Sequence, residues 1–304
     1  MAGGSGRGDL PTGRVDVACW EPASPLDLSA SIARHSRHGP NLLDVVSDGF
    51  MYRTTTTGSP YRIRQLDDGA IEVGAEHDLA TAVAESQYRL GETLPVEPLR
   101  EVADRVPAVS DQILRMPGYR PPANPSVLEV LVASICAQQV NLRWAATTLS
   151  RVVRRFGAPQ EMAGVRVWRF PTAERLAAAD PAEIRALQLT SRKSQYIVGV
   201  AGAVAAGELD GLADTGNETV IRRLVAIRGV GRWTADWFLA RCLARPDAVA
   251  AGDLGVRKVI SRYVAGVDEV LPEADVRAAT ESWGDGGNWA VHLLLERWVE
   301  EFAQ

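Results

Sequence analysis

The 304-residue sequence lacks the features that mark several common protein classes. It has only three cysteines, Cys19, Cys136 and Cys242, odd in number and widely spaced, which excludes a disulfide framework and a CxxC metal site. No apolar run approaches the about eighteen residues of a membrane span. The opening Met-Ala-Gly-Gly-Ser-Gly-Arg-Gly has one basic residue and no apolar stretch, so it does not read as a secretory signal. Residues 1–15 are expected to form a disordered tail, and the cytoplasm is the expected compartment. A positive surplus is missing too: 33 Lys/Arg against 38 Asp/Glu leave a net charge of −5, which argues against a strongly basic nucleic-acid binder. The acid excess is local. From Asn124 onward each sign contributes 21 residues, whereas 17 acidic face 12 basic residues before it. A neutral domain can still hold phosphates through backbone N–H groups and a few placed arginines.

The pattern divides at "PGYRPPANP" (117–125), which has four prolines in nine residues and reads as a linker. Residues 16–116 read as a small α+β domain. "SPLDLSASIARHS" suggests a helix capped by Ser24, with Leu26, Leu28 and Ile32 on one side. "FMYRTTTT", "YRIRQLD" and "AIEVGAE" read as an antiparallel sheet with turns at Gly58-Ser59-Pro60 and Asp67-Asp68-Gly69. "DLATAVAESQYRLG" reads as a helix. Residues 117–304 read as helical throughout, a series of short helices that includes "SVLEVLVASICAQQVN", "WAATTLSRVVRRFG" stopped by Gly157, and "NETVIRRLVAI" capped by Asn217. The expected fold class is mainly α, with a small α+β N-terminal domain and an all-helical core.

The chemistry concentrates in "IRGVGRWTADWFLARCLARPDAVAAGDLGVRK" (227–258). Gly229 and Gly231 flank Val230 in a tight turn between two helices. Glycine leaves no Cβ in the way of an approaching group, and the N–H groups opening the second helix point outward, where the dipole favours a phosphate. Arg228, Arg232 and the Thr234 hydroxyl could add contacts. The same pattern also suits a plain αα-hairpin whose glycines only permit close packing. About twenty residues later, Asp253 precedes "LGVRKVI", where it reads locally as an N-cap. Trp233 and Trp237 lie one helical turn apart and suit either a core or a stacking wall. His292 fits a structural hydrogen bond better than a catalytic role, and His35 and His38 have no metal partners in view. "RVVRR" (151–155) reads as a solvated helix face.

"LVAIRGVGRWTADWFLA" followed by "PDAVAAGDLGVRK" resembles the helix-hairpin-helix (HhH-GPD) DNA glycosylases, in particular the bacterial DNA-3-methyladenine glycosylase II branch. "NPSVLEVLVASICAQQVNLRWAATTLSRVVRRFG" and "FPTAERLAAADPAEIRALQLTSRKSQYI" extend the resemblance over roughly residues 110–304. It implies an all-helical glycosylase core with Asp253 as the catalytic carboxylate. The hairpin residues Arg228, Gly229, Val230, Gly231, Arg232 and Thr234 would lie on DNA. Gln139 would fill the gap left by a flipped base, with Gln138 beside it, and Trp233, Trp237 and Trp289 would line the base pocket. The main-chain carbonyls of Val225, Ile227 and Val230 would hold a monovalent cation, Na+ or K+, and no organic cofactor is implied. The implied partner is double-stranded DNA with damaged bases, bound by a monomer away from any membrane.

An ionised carboxylate suits this chemistry, because positive charge develops on the sugar as the base departs. The implied function is monofunctional hydrolysis of the N-glycosidic bond of alkylated purines such as 3-methyladenine and 7-methylguanine. Trp233 stands where bifunctional relatives carry a nucleophilic lysine, so no lyase step is expected. The missing four-cysteine cluster excludes an iron–sulfur relative. Three departures qualify the resemblance. Arg228 and Ala250 replace common prolines, and "ESWGDGGNWAVHLLLERW" has Gly286 where the branch carries a tryptophan, so a mobile loop at 284–288 is expected. That loop keeps open a glycosylase for deaminated or oxidised bases. A non-catalytic damage-sensing DNA binder is the other alternative.

Overall fold

The computed structural model describes residues 14–33, 37, 39 and 41–302. His35, His38 and most of the expected N-terminal tail lie outside them. Strands β1 (Asp16–Trp20), β2 (Val45–Ser47), β3 (Phe50–Thr54), β4 (Pro60–Gln65) and β5 (Ile71–Ala75) form one antiparallel sheet in the order β1-β5-β4-β3-β2. Tyr61, Ile63, Ile71 and Val73 are buried on one face of this sheet. Gly58 and Gly69 take positive φ at the two expected turns. Helix Leu79–Arg89 covers this face, capped by Asp78.

Several local readings are corrected. The cap of helix Leu28–Ile32 is Asp27, whose carboxylate accepts from Ala30 N–H, while Ser24 serves Arg120 instead. The cap of helix Asn217–Val225 is Gly216, and the Asn217 amide turns to Asp247. The C-terminal part is not purely helical either. Strands β6 (Ala158–Met162) and β7 (Val165–Arg169) form a hairpin through the positive-φ pair Ala163-Gly164. It reaches across to the sheet, where Met162 and Val167 pack with Tyr52 and Trp168 N–H bonds the Leu42 carbonyl.

The largest core is helical and draws on both sides of the expected 116/117 boundary. Leu99, Val102 and Val109, from helices Val96–Arg105 and Pro107–Arg115, and Val106 at their junction join Leu131, Ile135, Phe238 and Leu294 in one buried cluster. Helix Gly287–Phe302 packs on both of these earlier helices. The proline-rich segment is no loose tether. Tyr119 and Arg120 are buried, and the Arg120 guanidinium donates to the Gly91 and Ser24 carbonyls. Arg53 of β3 lies buried between Asp44 and Glu129, donating to both Glu129 oxygens at 2.7 and 2.6 Å, which fixes the sheet to helix Val127–Ala137. No helix among the described residues is long and apolar enough to cross a membrane.

Candidate active site

Helix Asn217–Val225 turns into helix Arg232–Arg241 through two tight bonds, Ile227 N–H to Leu224 O and Val230 N–H to Ile227 O, both 3.0 Å. The two glycines do different things. Gly229 has φ +94°, and a Cβ there would run into the Tyr196 ring, so both its backbone and its neighbour require glycine. Gly231 has φ −99°, open to any residue, and a Cβ there would meet nothing within 4 Å. Its bareness keeps clear the approach to helix Arg232–Arg241. That helix has no side-chain cap, so its first N–H groups lack helical acceptors and the positive end of its dipole faces outward. Arg228 and Arg232 are exposed beside it, Arg232 steadied by Asp236 at 2.8 Å. Thr234, expected to add a hydroxyl at the surface, is buried, at 1% exposure.

Asp253 caps helix Leu254–Ile260. Its Oδ1 accepts from the Gly255 and Val256 N–H groups at 2.8 and 3.1 Å. Its Oδ2 accepts from the indole N–H groups of Trp233 and Trp237 at 2.8 and 3.2 Å. Four donors therefore hold one half-buried carboxylate. The two tryptophans do face one place, but they meet there through their N–H edges. One face of the buried Trp237 ring is covered by the Arg241 guanidinium, 3.9 Å from the centroid, and His292 meets the ring edge-on at 5.7 Å. That face is thus unavailable for stacking on a base. Trp289 is also buried, and its indole N–H donates to the Tyr119 carbonyl at 3.1 Å, so it holds the proline-rich segment rather than lining an open pocket.

The segment expected as a mobile loop is anchored at two points. Residues Glu281–Gly286 form 3-10 turns broken by a kink at Gly284, with Trp283 and Gly286 buried. A Cβ at Gly286 would strike the Pro98 carbonyl and the Val102 side chain. The space of the branch's tryptophan is taken by helix Val96–Arg105, a partner 188 residues away in sequence that no local pattern announces.

Gln138 and Gln139 separate. Gln138 turns inward and donates from Nε2 to the Gly229 carbonyl at 2.9 Å. Gln139 is exposed and holds φ +56°, uncommon for a residue with a side chain. Exposed Val140, Leu142 and Trp144 follow it. Asp236 is engaged by Arg232 and Arg277, and Asp247 by Asn217. His292 Nδ1 pairs with the Asn288 carbonyl, the structural bond expected of it. In "RVVRR", Val152 and Val153 are buried, while Arg151 and Arg155 bond Leu187 O and Glu183. The sequence reading missed Lys193, Tyr196 and Arg241, whose importance rests on contacts with distant segments. Lys193 Nζ donates to the Cys136 carbonyl at 2.9 Å. Partial burial holds its ammonium below the usual lysine value, and burial pushes the neighbouring Cys136 thiol up to about 12.

Among the described residues no His/Cys/Asp/Glu cluster could hold a metal. Val225 ends its helix, so its carbonyl is one of those that no helical N–H reaches; with the turn carbonyls of Ile227 and Val230 it offers oxygens of the kind a monovalent cation takes.

The model of the family described as HhH-GPD superfamily base excision DNA repair protein matches residues 132–284. The DNA-3-methyladenine glycosylase of Bacillus subtilis (strain 168) is 35% identical over 156 residues, 49% of this chain and 52% of that protein. The chain thus spans about half the length of that relative. DNA-3-methyladenine glycosylase 2 of Escherichia coli (strain K12) is 24% identical over 287 residues, covering 93% of this chain and 96% of that protein. Among solved structures, a 3-methyladenine DNA-glycosylase from Archaeoglobus fulgidus shares the fold with a TM-score of 0.83, at 23% identity over 94% of this chain and 99% of that one.

Proposed function

The chain belongs to the HhH-GPD superfamily of base excision DNA repair proteins, and from that premise we propose that it is a monofunctional DNA glycosylase hydrolysing the N-glycosidic bond of alkylated purines in duplex DNA. The observation that carries this reading is the carboxylate of Asp253, held by four N–H donors at a helix start and tied through Trp233 to the hairpin's own helix. A departing base leaves positive charge on the sugar, and a fixed anion beside C1′ stabilises it. A carboxylate offers about four acceptor directions, and here four donors use them. Asp253 therefore supplies charge in this reading, rather than taking a proton from water.

An alkylated purine of the 3-methyladenine or 7-methylguanine type already carries positive charge, so it leaves without a strong general acid. This agrees with the names of the Bacillus and Escherichia relatives. The hairpin would hold a backbone phosphate at the bare Gly231 and the N–H groups of helix Arg232–Arg241. Exposed Gln139 would occupy the gap left by the flipped nucleotide. Val225, Ile227 and Val230 would hold Na+ or K+ through their carbonyls, and the cation would add positive charge beside that phosphate. With Trp233 in place of a hairpin lysine, no Schiff base forms there.

The test is base release from duplexes carrying 3-methyladenine, 7-methylguanine, hypoxanthine or 8-oxoguanine. Release of the methylated purines is expected. Release of hypoxanthine or 8-oxoguanine alone would overturn the substrate class, and no release with duplex binding intact would leave a damage-sensing binder.

A further inference from the structure

Three contacts join the segment that carries Gln139 to the phosphate hairpin, which lies 91 residues further along the chain from Gln138. Gln138 Nε2 donates to the Gly229 carbonyl at 2.9 Å. Lys193 Nζ donates at 2.9 Å to the carbonyl of Cys136, in the last turn of helix Val127–Ala137, a turn with no basic residue of its own. Three residues beyond Lys193, on the same face of helix Ser191–Ala205, the Tyr196 ring packs so closely on Gly229 that no Cβ fits between them. One helix thus supports both segments from beneath, and Gln138 bridges them above it. On the far side of Gln139, Asn141 caps helix Leu142–Phe156 by accepting from Trp144 N–H at 2.8 Å.

Gln139 holds a left-handed backbone that a non-glycine residue seldom adopts, and such a conformation persists only where its surroundings over-determine it. Here both flanks are pinned, one to the hairpin and one to a helix cap. We propose that Gln138, Lys193 and Tyr196 form a brace that fixes Gln139 in register with the phosphate-holding hairpin, so that seating the backbone on the hairpin also presents Gln139 to the vacated base position. They are positioning residues, acting on DNA through Gln139. The inference rests on the glycosylase reading and extends it to how nucleotide flipping is coupled to backbone binding. Displacing a base costs most when it is paired and least when it is already unpaired. A loosened brace therefore penalises paired lesions selectively.

The test uses Gln138→Met and Lys193→Met, which keep side-chain length and lose the donor. Single-turnover release of one lesion is compared in a paired duplex and in a bulge. Loss of one hydrogen bond should raise the bulge-to-duplex rate ratio about tenfold. In a Gln139→Ala background, Gln138→Met should add less than about a twofold effect, because its route through Gln139 has gone. An unchanged ratio, or independent effects of Gln138 and Gln139, would overturn the brace. A 2-aminopurine placed at the flipped position reports unstacking without bond cleavage. The full-length protein should raise its fluorescence, and Gln138→Met should cut that rise severalfold. An equal rise in the variant, or none in the wild type, overturns the brace. A normal rise without base release would overturn the enzyme reading alone.

Discussion

Replacing Asp253 by Asn removes one negative charge while keeping the side chain's outline. Asn caps helices as well as Asp does, so its oxygen stays with the Gly255 and Val256 N–H groups. The new NH2 group then points at the two indole N–H groups that Oδ2 had accepted. Trp233 is half-buried and can turn its N–H to water, whereas Trp237 is 5% exposed and is left unsatisfied. One buried donor without an acceptor costs about 1–3 kcal/mol. At about 2 °C per kcal/mol for a chain of this size, Tm should fall by roughly 4 °C. The catalytic loss should be much larger, because removing one preorganised electrostatic group costs about 100- to 1000-fold in rate, or about 3–4 kcal/mol. Affinity for a duplex with an abasic-site analogue should change by less than about threefold, since the hairpin is untouched. Single-turnover base release, thermal unfolding and equilibrium binding read the three quantities separately. A variant within tenfold of wild-type rate would refute the electrostatic role. Equal losses of binding and rate would place the effect on the phosphate grip instead.

The two hairpin glycines should respond oppositely. Gly229→Ala, with positive φ and the Tyr196 ring in the way, should lower folding stability by about 2 kcal/mol or more in urea unfolding. Gly231→Val should leave Tm nearly unchanged yet weaken duplex binding about tenfold or more, because its side chain enters the space a phosphate would need. Arg53→Met leaves the Asp44 and Glu129 carboxylates buried without their cation, and should cost about 3–5 kcal/mol of stability by denaturant titration. Burial pushes the Tyr88 phenol up to about 12, so the folded state keeps a proton that the unfolded chain releases near pH 10; stability should fall as pH rises from about 10 to 12, as urea midpoints would show. Burial also raises the Cys136 and Cys242 thiols, so a thiol reagent should label exposed Cys19 alone until the protein unfolds.

Much of the fold was legible because its signals are local. The three strands at 50–75 are rich in Thr, Tyr, Ile and Val between Gly-containing turns, and these strands and turns form where the pattern puts them. The β6–β7 hairpin escaped notice because "APQEM" holds a proline and a glutamate, and its turn is Ala163-Gly164 rather than Asn-Gly. Its strand character comes from packing against Tyr52 of the sheet, which no window around residue 160 contains. The helix caps at Asp27 and Gly216 differ from the expected Ser24 and Asn217 because the helices start at Leu28 and Asn217; the Ser24 and Asn217 side chains bond distant partners, Arg120 and Asp247.

At the candidate site the division follows the same physics. The sequence alone determined that a glycine-bearing turn would open a helix start to solvent and that a carboxylate would cap a helix about twenty residues on, because both depend on short-range backbone geometry. Only the tertiary structure decided that Trp233 and Trp237 give their N–H edges to Asp253, that Gln138 leaves the surface to bind Gly229, and that Gly286 lies under helix Val96–Arg105. The Gln138 and Gly286 partners come from about ninety to nearly two hundred residues away in the chain, and even the nearer indole contacts turn on side-chain orientations that close packing chooses and residue spacing leaves open.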